Sequence, residues 1–93
     1  MRAAVYDAFT DAPHEPGALE VREVDEPRLA PANVLVEVRA AGVNPVDWKV
    51  MTGGLDPLLQ TVFPVVPGWD VAGVVVAVGL DTPDFAVGDE VMA

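Results

Sequence analysis

The residues best suited to chemistry in this 93-residue chain lie at positions 44–49 and 69–70. Asn44 carries an amide with one acceptor and two donor groups. Lys49 is the only lysine in the chain, and its cation suits a ligand that bears phosphate. Trp69 presents a planar ring on which a flat ligand can stack. None of these residues is an evident general acid, so any proton that a reaction requires would come from water or from another part of the protein.

Each of these residues also has an ordinary structural explanation. Asn44 suits a turn with unusual backbone angles, and a lone lysine such as Lys49 is usually a solvated surface charge. Asp47 is expected to cap or orient the start of a helix, where a negative charge is favoured. Trp48 is expected to pack in the core, whereas Trp69 fits either the core or the wall of a pocket. The residue types alone leave both explanations of Asn44, Lys49 and Trp69 open.

Short strands are predicted to position these residues, and the alternation of side chains is the main reason. The period-two pattern is clearest at residues 34–41, where Val34, Val36 and Val38 share one face. Residues 1–6 and 19–24 are predicted to form an antiparallel pair, and residues 71–78 and 89–93 are predicted as two further strands.

A short helix is predicted at residues 45–52, directly after the clearest strand. Pro45 suits its first turn, where a missing N–H costs nothing, and the glycine pair that begins at Gly53 ends it. Residues 55–67 are predicted to form an irregular apolar loop. Within the last long apolar run, Gly73 indicates a bulge or a close backbone approach. Short strands between Gly/Pro turns predict a mainly β fold, a strongly twisted and partly open β-barrel with one short helix.

Composition limits the function classes that this chain can serve. Nineteen valines and no isoleucine favour strands. Fifteen acidic residues against five basic ones give a net charge of −10, which repels phosphate backbones and anionic lipid, so we expect neither nucleic-acid nor membrane partners. The acidic residues are scattered, as on a solvated surface or in a protein adapted to high salt. The chain has no cysteine, which fits a cytoplasmic location and excludes disulfides and thiolate metal sites.

Two motifs carry a family resemblance, NPVDWK at residues 44–49 and PGWDVAGVV at residues 67–75. Together they resemble the N-terminal GroES-like domain of the medium-chain dehydrogenase/reductase superfamily, in its zinc-independent branch of quinone oxidoreductases and enone reductases. Zinc-dependent relatives have a Cys-His pair where this chain has Asn44 and Pro45. They later have Gly-His-Glu where it has Gly68, Trp69 and Asp70. Amide, proline and indole are poor ligands or non-ligands for zinc, so the resemblance implies that no metal is bound.

The resemblance implies hydride transfer from NADPH to a quinone or an α,β-unsaturated carbonyl. The cofactor would supply the hydride, and the protein would position the reactants and exclude water. In similar reductases the asparagine matching Asn44 lies against the nicotinamide, and the lysine matching Lys49 contacts NADPH. Trp69 occupies the position of a metal-binding histidine in the zinc relatives. We therefore assign Asn44 and Lys49 to cofactor binding and Trp69 with Asp47 to the substrate pocket, with Asp70 as an acceptor beside Trp69.

The sequence contains no glycine-rich turn that opens a helix after a strand, the motif that holds a dinucleotide pyrophosphate. Residues 1–93 are therefore expected to form a partial, substrate-side GroES-like domain that is inactive by itself, with the dinucleotide-binding domain absent from the chain. Uncovered apolar surface and an open strand edge predict self-association. Two other interpretations are a free-standing GroES-like binding module, similar to the co-chaperonins, and a remnant that has lost its cofactor half.

Overall fold

The computed structural model describes the backbone of residues 1–93 and every side chain except that of Pro57. The chain divides into two compact units. Unit 1 comprises Met1–Asp25 and Val43–Gly68, and unit 2 comprises Glu26–Gly42 and Trp69–Ala93. Seven elements follow one another along the chain, namely β1 (Arg2–Val5), β2 (Glu20–Glu23), β3 (Val34–Ala40), α1 (Pro45–Met51), α2 (Asp56–Leu59), β4 (Ala72–Val78) and β5 (Glu90–Met92).

Unit 1 contains the predicted antiparallel pair of strands, β1 and β2. Arg2 lies opposite Glu23 and Val5 lies opposite Glu20, which confirms the predicted pairing. Just beyond β1, the Tyr6 N–H donates to the Val65 carbonyl at 3.1 Å, and the Val65 N–H donates back at 2.9 Å. This bridge ties the segment after the helices to the first strand of the unit.

Helix α1 is the predicted short helix. Pro45 occupies its first turn, and the chain leaves it through Gly53, whose φ of 83° is one that glycine adopts at low cost. The structure places a single helical turn, α2, inside the expected loop at residues 55–67, where the Gln60 N–H donates to the Asp56 carbonyl at 2.8 Å. A four-residue turn is too short to leave a periodic apolar pattern, so the sequence does not reveal it.

Unit 2 is a three-stranded antiparallel sheet in the order β3-β4-β5. Val34 pairs with Val78 at one end of the β3–β4 ladder, and Ala72 pairs with Met92 between β4 and β5. The prediction of a mainly β fold is confirmed. Neither the sheet of unit 1 nor that of unit 2 closes on itself, which is consistent with the partly open barrel.

Gly73 confirms the predicted close backbone approach. A Cβ atom built at this position would overlap the Glu37 carbonyl oxygen of the neighbouring strand and lie 2.8 Å from Cγ1 of Val36. The β3–β4 register shifts between Val38 and Ala40, beside the pair that Val38 forms with Gly73. Only a residue without a side chain lets the two backbones meet in this way.

Tyr6, the only tyrosine, is buried, with 3% of its surface exposed. We expect its ionisation to lower the free energy of unfolding at alkaline pH. Its buried hydroxyl has no hydrogen-bond partner among the described residues, and burial raises its pKa above the ordinary value of 10.0. The folded state thus holds the proton more tightly than the unfolded chain. The stabilisation is therefore complete below pH 10 and is lost as pH rises through the folded pKa.

Tyr6→Phe is the matched control for this prediction. It should flatten the alkaline fall in the free energy of unfolding and be neutral or slightly stabilising at pH 7, because it removes an unpaired buried hydroxyl. Tyrosinate absorbance reports Tyr6 alone in this chain, so a pH titration of the native protein measures its pKa directly. A native midpoint at or below pH 10 would contradict the prediction.

Candidate functional site

The start of α1 is built by a reciprocal pair of contacts between Asn44 and Asp47. The Asn44 backbone N–H donates to Oδ2 of Asp47 at 2.9 Å, and the Asn44 side chain accepts from the Asp47 backbone N–H. This is a capping box, in which each side chain satisfies a backbone donor at the helix start. The expected role of Asp47 in capping α1 is confirmed, and its place in the substrate pocket stays a prediction.

The backbone of Asn44 differs from the turn explanation offered for it. Its φ of −129° and ψ of 159° are those of ordinary extended chain, so the expectation of unusual angles is wrong. The residue before a helix adopts extended angles because its side chain must fold back onto the first turn. Its assignment to cofactor binding stays a prediction.

Trp48 lies on the surface of α1, and the expectation that it packs in the core is wrong. Its side chain is 38% exposed, whereas Met51 of the same helix is buried. A helix of two turns presents only one narrow face to the interior. Met51, at the end of the helix, is the buried residue on that face. Trp48 therefore keeps much of its ring accessible to a ligand.

The Lys49 ammonium lies over the exposed ring of Trp48. Its Nζ is 5.7 Å from the ring centroid, within the range of a cation–π contact. The ring of His14 lies 5.4 Å from the Trp48 ring at an interplanar angle of 57°. An exposed ammonium carries three N–H donors, so Lys49 can bind an anionic group of a ligand such as a phosphate.

Trp69 and Asp70 belong to unit 2, directly before β4. Trp69 is 58% exposed, so the alternative that it simply packs in the core is wrong, and its place in the substrate pocket stays a prediction. The Asp70 carboxylate lies against Gly42, where an added Cβ would be 2.6 Å from Oδ2. The structure thus gathers Asn44, Asp47 and Lys49 on α1 and its cap, and places Trp69 and Asp70 side by side in the other unit.

A groove of about 630 Å³ lies on the sheet of unit 2, and none of the predicted site residues lines it. Residues of β3, β4 and β5 line it, namely Arg39, Ala72, Gly73, Val74, Glu90, Val91 and Met92. Met92 is 85% exposed. The groove is broad and open, unlike the enclosed clefts in which proteins usually bind small ligands.

The open edge of β5 leads us to expect that the 93-residue chain self-associates through strand pairing. Val71 and Ala93 exchange both backbone hydrogen bonds at 2.9 Å, so by antiparallel alternation the Met92 N–H faces away from β4. Met92→Pro should weaken association about tenfold or more, because each copy loses an edge donor. Met92→Leu keeps the donor and is the control. Association should strengthen with salt, since each copy carries a net charge of −10.

Sedimentation velocity over a range of concentrations measures this association. Wild type and Met92→Leu should form dimers or larger species under conditions in which Met92→Pro is monomeric. A wild-type chain that stays monomeric throughout would contradict the prediction and favour a free-standing binding module.

Within the part of the chain whose side chains are described, no three His, Asp or Glu residues are grouped so that they could hold a metal ion. The two described helices, seven and four residues long, are both too short to cross a membrane.

Comparisons with known proteins agree on one family. The sequence profile of the alcohol dehydrogenase GroES-like domain matches residues 30–93. The chloroplastic quinone-oxidoreductase QR1 of Triphysaria versicolor is 38% identical over 100% of this chain and 27% of its own length. The chloroplastic NADPH-dependent alkenal/one oxidoreductase of Arabidopsis thaliana is 38% identical over 100% of this chain and 23% of its own.

A solved structure shows the same fold. The quinone oxidoreductase of Coxiella burnetii superposes with a TM-score of 0.85 at 30% identity, covering 99% of this chain and 28% of that protein. The chain therefore spans about a quarter of the length of the relatives that it matches.

Proposed function

Because this chain belongs to the alcohol dehydrogenase GroES-like domain family, we propose that it is the substrate-side part of an NADPH-dependent oxidoreductase. The proposed reaction reduces quinones or α,β-unsaturated carbonyls by hydride transfer and uses no metal. The predicted resemblance to this family and the GroES-like fold are both confirmed. Its relatives include a quinone oxidoreductase and an NADPH-dependent alkenal/one oxidoreductase.

The observation that carries the proposal is the position of the Lys49 ammonium. It lies in the last turn of α1, is exposed to solvent, and is held over Trp48 with its charge available. A cation placed in this way suits NADPH, which bears the 2′-phosphate that NADH lacks.

NADPH, when bound, would supply the hydride. Lys49 would bind a phosphate of the cofactor through charge-assisted hydrogen bonds. Asn44 would orient the nicotinamide end through its side-chain amide, and Trp69 would stack on a planar substrate. The proton that completes reduction would come from water or from another part of the protein, since the proposed site residues include no evident acid.

The proposal extends to organisation and location. A dinucleotide-binding domain outside residues 1–93 would supply most of the contacts that bind the cofactor. The substrate is a small quinone or enone, and neither nucleic acid nor membrane takes part, as the net charge of −10 supports. We propose a cytoplasmic location, which the lack of cysteine in the chain supports.

A spectrophotometric assay of the protein encoded by the complete gene tests the proposed function. NADPH oxidation should depend on an added quinone or enone, and NADH should support it less well. A protein that oxidises neither cofactor with either acceptor would overturn the proposal. Oxidation of a simple alcohol with NADP⁺, in place of enone reduction, would move the protein to the alcohol dehydrogenases.

Elemental analysis is expected to find no stoichiometric zinc in the purified protein. Asn44, Pro45 and Trp69 stand where zinc relatives hold their ligands, and amide, proline and indole bind zinc poorly or not at all. Treatment with a chelator should accordingly leave both activity and thermal stability unchanged. One tightly held zinc per chain would remove this protein from the metal-free branch.

A further inference from the structure

The contact between Lys49 and Trp48 is not a default consequence of their neighbouring positions in α1. Residues at i and i+1 of a helix point about 100° apart and do not face one another. For Nζ to reach 5.7 Å from the Trp48 centroid, the Lys49 side chain must turn back across the indole. The Lys49 Nζ therefore lies over the ring rather than extending away from it into solvent.

The Trp48 ring is itself supported from a second element, although it is 38% exposed. The His14 ring contacts it at 5.4 Å. The segment that carries His14 is tied to the end of α1, because the Thr10 N–H donates to the Met51 carbonyl at 3.0 Å. Trp48 therefore contacts both His14, through a tilted ring contact, and Lys49, through the ammonium over its ring.

We propose that Trp48 is a positioning residue of the cofactor site, whose indole holds the Lys49 ammonium ready for a phosphate while His14 holds the indole. The inference rests on the proposed function, since Lys49 is there assigned to NADPH. A free lysine loses much rotamer freedom when it is ordered by a ligand. A lysine that is already ordered on a ring loses less, and the exposed Lys49 ammonium remains accessible to a ligand.

The contact can be tested without any cofactor. Lys49 is the only lysine, so ¹³C-lysine labelling of the 93-residue chain yields a single side-chain spin system. Its ε-methylene protons should be shifted upfield by the ring current in the wild type and in Trp48→Phe. They should move to the position of a solvated lysine in Trp48→Leu, and part of the way in His14→Leu. Identical positions in wild type and Trp48→Leu would overturn the inference.

The functional part is tested on the protein encoded by the complete gene. Trp48→Leu should raise the KM for NADPH about two- to fivefold, the range that an exposed cation–π contact supports, and leave kcat unchanged. Trp48→Phe keeps an aromatic face and should stay close to wild type. In a Lys49→Ala background, Trp48→Leu should have no further effect, because the residue acts through Lys49.

This double-mutant cycle separates the possible failures. A rise in KM from Trp48→Leu that persists in the Lys49→Ala background would show a merely structural role and overturn the inference. A Lys49→Ala variant with unchanged NADPH kinetics would overturn the assignment of Lys49 to the cofactor, and the positioning role would fall with it. Thermal unfolding of each variant confirms that the compared proteins are folded, and Trp48→Phe keeps the test open should Trp48→Leu fail to fold.

Discussion

Replacing Lys49 with alanine is expected to raise the KM for NADPH about tenfold, the loss of one charge-assisted hydrogen bond to phosphate. Lys49 is the only lysine in the chain, and its ammonium is exposed over Trp48. The NADH arm of the experiment reports which phosphate is bound. A rise for NADPH alone indicates the 2′-phosphate, and equal rises for both cofactors indicate the pyrophosphate that they share.

Two variants control the Lys49 experiment. Lys49→Arg keeps the positive charge and should retain most of the affinity for NADPH. High salt should reduce the difference in KM between each variant and the wild type, because it screens the charge. Arg39→Ala removes an exposed cation that lines the groove of unit 2 and should leave the KM unchanged. NADPH kinetics in Lys49→Ala that match the wild type would identify Lys49 as a solvated surface charge.

Gly73→Ala is expected to destabilise the fold by about 3 kcal/mol or more, the upper end of the cost of overpacking. The added methyl group would overlap the Glu37 carbonyl oxygen. A backbone atom held in the β3–β4 ladder cannot move aside as the end of a flexible side chain can. On a chain of 93 residues, such a loss removes a large part of the total stability. Chemical denaturation monitored by circular dichroism measures it.

Gly17→Ala is the matched control for this substitution. Gly17 has a φ of 91°, and a Cβ atom built at this position meets no neighbouring atom within 4 Å. Alanine at this position therefore tests backbone strain without a steric overlap. Its cost should be about 1 kcal/mol. A loss at Gly73 no larger than the loss at Gly17 would contradict the close approach of β3 and β4.

The strands and α1 could be predicted because their signals are local. Alternating valines mark Val34–Ala40, and a proline and a glycine bound the helix on either side. The single turn Asp56–Leu59 has no such signal. Four residues are too few to show the apolar period of a helix, so this turn cannot be predicted from the sequence pattern.

The site shows the same division between local and tertiary information. Asp47 caps α1 through a residue three positions away, and the sequence predicts this contact. The sequence predicts a buried Trp48 because large aromatic residues are usually buried, whereas in the structure Met51 is the buried residue of this two-turn helix. The contact between His14 and Trp48 joins residues 34 positions apart, so only the folded unit brings them together.

Deuteride transfer tests the central claim most directly. The protein encoded by the complete gene would be incubated with an α,β-unsaturated ketone and NADPH that carries deuterium at both C4 positions of the nicotinamide, and the product would be analysed by NMR and mass spectrometry. We predict a saturated ketone that carries one deuterium at the former β-carbon, formed without added metal and in the presence of a chelator. Recovery of unchanged enone, or of an allylic alcohol with deuterium on the carbonyl carbon, would contradict the assignment of this protein as an enone-reducing, metal-independent oxidoreductase.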